Sequence, residues 1–379
     1  MGRSSYKRLG DYIQPVDIRN EDNAVDKLVG ITIDKAFIDS VANTIGTDLS
    51  KYKIIEAEQF ACSLMQVSRD GKMPIAMYAG GEKAILSPAY SMFEVIDKSE
   101  LLPSYLMMWF RRSEFDREAS FYAVGGVRGS LLWDDFLDFR LPIPDIEEQQ
   151  EIVAQYEAIT RRIALNERIC ANLEETAQAL YNKMFVQDID PDNLPDGWSM
   201  GTIEEFCKEV RSGGTPNRSN NRYWNCAEVP WLKSGEVQNK IIISAEEYIS
   251  NEGLANSSAK LIPADSVIMA MYGGGTVGNV GYLAFETSTN QACCNMICHT
   301  KEQSAYLYFY LLVNQDKISR LANGGAQENL NQNLITSQPI IIGAENKLFA
   351  LFVRYMTALG KVNMKLRAIQ SVLINTLER

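Results

Sequence analysis

Residues 141–184 read LPIPDIEEQQEIVAQYEAITRRIALNERICANLEETAQALYNKM, and their spacing decides the fold. From Ile152 through Tyr156, Ile159, Ile163, Asn166, Cys170, Leu173, Ala177 and Leu180 to Met184, the positions step alternately by four and three. Sustained 4-3 spacing places a narrow seam along one helix face, as in helices packed as a coiled coil. Pro144 stops the chain before the helix, Asp145 stands at the N-cap, and Glu148 three residues on completes a capping box. Asn166 falls on the seam, where a polar residue fixes register at some cost in stability.

A second periodic segment follows about 200 residues later. Leu348, Phe352, Tyr355, Leu359, Val362, Leu366, Ile369 and Leu373 repeat the same steps. Other landmarks recur in the same order. Ser104-Tyr-Leu, Gly125-Gly126, Leu131 and Leu141-Pro142 are echoed by Ala305-Tyr-Leu, Gly324-Gly325, Leu330 and Gln338-Pro339. The glycine pairs are 199 residues apart and the prolines 197, while Leu9-Gly-Asp-Tyr12 matches Ile203-Glu-Glu-Phe206. Such self-similarity is the signature of a duplicated unit. Between the helices, DIDPDNLPDG at 188–197 is dense in turn formers and reads as a linker.

The expected fold is therefore α+β. Two mixed α/β domains in pseudo-two-fold arrangement, 1–144 and 198–342, are separated by two long antiparallel coiled-coil helices, 145–186 and 343–379, with a linker at 187–197. Strand-like runs at Ile75–Tyr78, Lys240–Ser244 and Val267–Tyr272 supply the β content. The helix-pair seam is assigned to Ile159, Ile163, Asn166, Cys170, Leu173 and Leu180 against Leu359, Val362, Leu366 and Ile369.

Composition narrows the function. The 379 residues carry a formal charge of −11, of which −4 lies in residues 145–184. Phosphate neutralisation supplies most non-specific DNA affinity, so any DNA-binding surface must be a local patch or be completed by a basic partner. No run of about 18 apolar residues occurs, and no signal-like h-region follows the N-terminal bases, so neither secretion nor a membrane span is expected. Seven cysteines without a CxxC read as free thiols in a reducing cytoplasm. The cluster of Cys294 and Cys298 with His299 lacks a second ligand pair, and its cysteines read as core thiols, with no metal.

Catalytic signals are missing. Gly273-Gly-Gly-Thr-Val-Gly278 satisfies GxGxxG, but Val280-Gly-Tyr-Leu-Ala-Phe285 follows as a strand, where phosphate binding needs a helix N-terminus. No GxxxxGK[ST], NPPY-like or DPPY-like motif is present, and there is one histidine.

Three stretches resemble the specificity subunits of type I restriction–modification systems. They are Leu141–Val153 with its Gln149-Gln150 pair; Pro195-Asp-Gly-Trp198 leading to Gly213-Gly-Thr-Pro216 and Val229-Pro-Trp-Leu-Lys-Ser-Gly235; and Ser288-Thr-Asn-Gln291 leading to Gly324-Gly325. The second copy departs from the pattern, with Ile340-Ile341-Ile342 and Glu345-Asn346 in place of a further proline and a glutamine pair. The resemblance implies a non-catalytic subunit that reads a bipartite double-stranded DNA target with two target-recognition domains. It implies two modification (methyltransferase) subunits docked along the helices, and restriction subunits in the full complex. S-adenosylmethionine, ATP and magnesium would all sit on those partners and none on this chain. Rival readings are a stand-alone coiled-coil scaffold, an inhibitor-type binding protein, and a nucleotide-dependent enzyme using the 273–278 loop.

Candidate DNA contacts are polar groups on turns in both halves: Arg69, Lys72, Lys83 and Arg128 in the first, and Arg222, Lys233, Thr276, Asn279, Gln327 and Asn329 in the second. Arg, Asn and Gln pair bidentately with base edges, whereas Lys more often holds phosphate.

Overall fold

The computed structural model describes every residue except 1–5, 41–45, 66, 124–128, 225, 274, 323–328, 346 and 379. The chain divides into two compact units, 1–162 with 366–379 and 163–365. Both long helices are divided between the units.

Both units are built on one sheet plan. In the first, Ile13–Pro15, Ser91–Val95, Phe60–Cys62 and Ile75–Met77 lie side by side in that order, all antiparallel. In the second, Glu209–Ser212, Cys293–Ile297, Val267–Ala270 and Val280–Leu283 repeat the order and the pairing. Numbered along the chain, each sheet runs first, fourth, second, third. The second adds Lys240–Ile242, parallel to Val280–Leu283. A smaller sheet of the second unit holds Val229–Leu232 between Glu247–Ile249 and Thr287–Thr289.

Each unit also closes its ends alike. Tyr6–Arg8 pairs antiparallel with Arg140–Pro142, and Ser199–Thr202 pairs with Pro339–Ile342. A buried leucine or isoleucine follows each opening strand, Leu9 and Ile203. A tyrosine hydroxyl then anchors each proline motif: Tyr105 donates to the Pro142 carbonyl at 3.1 Å, and Tyr310 to that of Pro339 at 2.7 Å. The first core is aromatic, with Phe60 stacked on Phe93 and ringed by Phe110, Phe115, Phe136 and Trp109.

The first long helix spans Ile146–Asn182 and widens into a π-helical turn at Lys183–Gln187. Asp145 Oδ1 accepts from the Glu148 amide at 2.9 Å, filling one orphan donor of the first turn. Gln149 is fully buried and clasps the helix start. Its amide donates to the carbonyls of Glu100 and Pro144 and accepts from the Leu102 amide. Its counterpart Asn346 lies outside the described residues. The second long helix spans Lys347–Asn375, beginning four residues after the expected start. The chain before it is the strand Pro339–Ile342, followed by Gly343 at φ 86°. That glycine sits against the Gly197 carbonyl, where a Cβ would come within 2.4 Å.

Helix-to-helix contacts within each unit run antiparallel. In the second unit Asn166 bonds Asn363, and Cys170 reaches the Met356 carbonyl; in the first, Gln370 bonds Thr160. On the first helix Ile163 and Asn166 are buried, while Ile159, Cys170, Leu173 and Leu180 are half-buried. Beyond Ala177 the buried face moves onto Tyr181 and Phe185, as a straight 3.6-residue helix drifts from a 3.5 repeat.

The second helix corrects the expected seam. Leu359 and Leu366 are half-buried, but Val362 and Ile369 are 43% and 48% exposed. The buried positions are one residue later: Phe349, Met356 and Asn363, with Val353 beside them. Two polar residues, Asn363 and Gln370, face the partner helix, and apolar ones lie outside. Choosing the apolar residue at each turn therefore took Val362 and Ile369 in place of their neighbours Asn363 and Gln370.

Candidate nucleic-acid interface

The described cationic candidates of the first unit, Arg69, Lys72 and Lys83, are all tied to acids. Arg69 lies in the short helix Val67–Asp70 and forks onto Asp70 at 2.7 and 3.1 Å. Lys72, beyond the positive-φ Gly71, is 3.4 Å from Asp34, and Lys83 is 2.7 Å from Glu56. These lysines and Arg69 are half or more exposed. Exposed pairs contribute about 0–1 kcal/mol, so a phosphate could displace such a carboxylate at small cost. Arg128 and Gln327 lie outside the described residues.

The second unit separates its candidates more sharply. Arg222 stands exposed in a 3-10 turn, Asn221–Tyr223, whose start Asn220 caps through the Arg222 amide. Its guanidinium pairs with no described residue. Asn329 is exposed as well. Asn279, in contrast, is committed inside the fold: it donates to the Val237 carbonyl at 2.9 Å and accepts from Gln315 at 3.2 Å. Its amide is a loop brace, unavailable to a base edge without breaking both bonds. Thr276 Oγ1 is buried without a partner among the described residues, behind the turn closed by the Thr276 amide and the Gly273 carbonyl. The loop leads into the strand Val280–Leu283, so no helix N-terminus faces its glycines.

Lys233 ends the strand Val229–Leu232 and lies 2.8 Å from Glu247 and 3.7 Å from Glu246. The bond to Glu247 holds the Lys233 ammonium above its ordinary pKa. Partial burial alone would raise the Glu247 carboxyl, but the bonds from Lys233 and Arg218 outweigh it and hold it below its ordinary range.

Arg218 is the residue the sequence reading missed. It pairs with Glu247 and lies over two indoles, 3.6 Å from the Trp224 ring centre and 4.6 Å from that of Trp231. The signal was present, an arginine two residues after Gly213-Gly-Thr-Pro216 with tryptophans downstream, yet nothing in the spacing says that they meet. Around this stack the motif stretches converge. Trp231 donates to the Gly214 carbonyl at 2.9 Å, Gly214 donates to the Thr289 carbonyl, and Thr215 meets Gln291. A Cβ on Gly213 would lie 2.2 Å from Thr289 oxygens, so only glycine fits there. These motifs thus hold two strands and a loop together, and Glu247 joins Arg218 to Lys233 beside them.

Among the described residues no group of three or more His, Cys, Asp or Glu side chains could hold a metal. Cys294 is buried in its strand, and burial pushes its thiol up to about 12. No helix among the described residues is long and apolar enough to cross a membrane.

Comparison with known proteins agrees with the duplicated architecture. The family model for the type I restriction modification DNA specificity domain matches twice, over residues 47–175 and 195–350. The specificity subunit of the type I restriction enzyme HindI from Haemophilus influenzae is 28% identical over 66% of this chain and 69% of its own length. The EcoR124I/EcoR124II specificity subunit from Escherichia coli is 26% identical over 49% of this chain and 44% of its own. The crystal structure of a type I restriction–modification S subunit from M. genitalium shares the fold, with a TM-score of 0.55 at 11% identity, over 99% of this chain and 94% of that one. Matched twice and over well more than half its length, the chain belongs to the type I restriction–modification DNA specificity family and is a non-catalytic specificity subunit.

Proposed function

We propose that this subunit reads a bipartite double-stranded DNA target, one half-site per unit, for a type I restriction–modification complex in the cytoplasm. The observation that carries the reading is the repeated strand order, first, fourth, second, third, in two units of one chain. Two copies of one reader on one polypeptide suit two half-sites. The long helices act as the ruler between them: 37 residues of Ile146–Asn182 extend roughly 55 Å at about 1.5 Å per residue.

Two modification subunits dock on the chain and supply S-adenosylmethionine binding and base flipping, which a buried target base requires. Restriction subunits add ATP- and magnesium-dependent steps. In support, the second long helix exposes a second apolar stripe of Leu348, Leu351, Tyr355 and Val362, each at least 40% exposed. A stripe of that kind marks an interaction face. Basic partners closing around DNA would also offset the net charge of −11.

The test is binding by the assembled methyltransferase to targets altered in one half at a time. Substitutions in 6–140 should change discrimination at one half-site and those in 198–337 at the other. Failure of the two sets to segregate would refute the two-reader model. A chain that purifies with no methyltransferase subunit would instead favour a stand-alone binding protein.

A further inference from the structure

Each unit carries a groove in the same place. In the first, a cavity of about 310 Å³ opens between the first long helix, the helix Pro103–Phe110 and the end of the strand Ile75–Met77. Val153, Tyr156, Glu157, Thr160 and Arg161 form its long-helix wall. In the second, a cavity of about 580 Å³ opens between the second long helix, the start of the helix Lys301–Ser319 and the strand Val280–Leu283. Its long-helix wall includes Ala350, Val353, Arg354 and Thr357. Ala350, Val353, Arg354 and Thr357 stand 197 positions after Val153, Tyr156, Glu157 and Thr160, the separation of Asn166 from Asn363. The duplication therefore copied the groove along with the sheet.

Both grooves combine an apolar floor with an excess of positive charge, in a chain that is acidic overall. Met77, Met107 and Met108 line the first, where Arg111 and Arg161 face one acid, Glu157. Methionines adapt to irregular apolar guests. Arg111 donates to the Tyr156 hydroxyl at 2.6 Å, and its guanidinium pairs with no carboxylate among the described residues. In the second groove Lys301 is paired with Asp265 at 2.9 Å, while Lys347, Arg354 and Lys361 pair with no described residue.

We propose that the two grooves receive the same segment from two identical partner subunits, an apolar stretch carrying a carboxylate. The carboxylate would meet Arg111 in one groove and Arg354 in the other. This rests on the reading that two modification subunits dock on the chain. It goes further by naming where each copy seats and the chemistry of the segment that seats there. The wall position that is Glu157 in the first groove is Arg354 in the second. The first groove should thus hold its acidic guest more weakly and release it first as salt screens the attraction.

Co-expression of the full chain with the modification subunit of the same system, followed by native mass spectrometry across a salt series, tests this. Arg111→Glu should leave one modification subunit per chain, Arg354→Glu one, and the double variant none. Thr160→Trp and Thr357→Trp, which fill the grooves without reversing charge, should do the same, with thermal midpoints checked against the parent. A parent that binds two copies while every groove variant also binds two would overturn the groove assignment and leave the docking reading standing. A parent that never binds two copies would overturn the docking reading itself. Loss of both copies from a single-groove variant would refute the assignment of one copy to each groove.

Discussion

Asn166 donates through Nδ2 to Oδ1 of Asn363 at 2.7 Å, and these are the same residue of the two repeats, 197 positions apart. Equivalent positions of two antiparallel helices can meet only where the two-fold axis of the helix pair crosses it. The duplication has thus set one asparagine against its own copy. Asn363 also donates to the Ile163 carbonyl at 3.3 Å, while Asn166 Oδ1 is buried without a partner among the described residues. The pair spends two buried amides to fix register.

The energetics of that pair follow from the asymmetry between losing one partner and losing both. Either Asn166→Leu or Asn363→Leu alone strands a buried amide and should cost about 1–3 kcal/mol. The double variant should recover most of the loss, because two leucines pack without desolvating a polar group. A double-mutant cycle on chemical denaturation midpoints measures this. Additive losses would show that the two amides do not act as a pair.

The helix ruler makes a separate prediction. Inserting one heptad after Leu173 keeps the face direction of the first helix but lengthens it by about 10 Å, at about 1.5 Å per residue. Methylation mapping should then show a wider gap between half-sites, or the complex should fail to assemble through mismatch with the second helix. An unchanged gap at full activity would exclude the ruler. Leu173→Pro, in contrast, removes a helix hydrogen bond on the half-buried face and should cost about 3 kcal/mol or more.

How far the sequence could carry the fold is visible at these same helices. The first seam is apolar enough for spacing alone to locate Ile163 and Asn166. The second helix has apolar residues on two faces, and its partner-facing positions include Asn363 and Gln370. Hydrophobic periodicity could not choose between the faces, because the deciding contacts are polar and 197 or more residues apart in sequence. The candidate interface shows the same limit. Arg222 and Asn329 were legible as exposed loop groups, but the commitment of Asn279 to Val237 and Gln315 depends on strand pairing. No local pattern encodes it.

The Arg218–Glu247–Lys233 cluster should respond to pH at both ends. Glu247 has a depressed carboxyl pKa, so its contribution is present above the unfolded value and is lost as pH falls through the folded one. Lys233 has a raised pKa, so its contribution is present below the unfolded value and is lost as pH rises through the folded one. Acid titration should therefore release Arg218 from the indoles of Trp224 and Trp231, and tryptophan fluorescence should change below the ordinary glutamate range. In Glu247→Gln that acid transition should vanish while the rest of the titration persists. An identical transition in the variant would assign it to other groups.

DNA contacts supply the last prediction, and they divide by chemistry. Arg222 carries an exposed guanidinium with no partner among the described residues, so it can fork onto a guanine edge at no cost in broken pairs. Lys83 must first leave Glu56, and its point charge suits a phosphate. Arg222→Ala should cost about 1–3 kcal/mol on the half-site read by the second unit, relax discrimination at one position there, and leave the other half-site unchanged. Lys83→Ala should weaken all sequences alike and reduce the slope of log affinity against log salt by about one ion, since each phosphate contact releases close to one counterion. Asn279→Ala should lower the thermal midpoint through loss of two internal bonds, and its DNA discrimination should match the parent at temperatures where it is folded. Binding isotherms of the assembled methyltransferase across a salt series, on targets altered base by base, read all three. If Asn279→Ala relaxed discrimination at a single base while Arg222→Ala did not, the interface would lie on the 273–279 loop and away from the Arg222 turn.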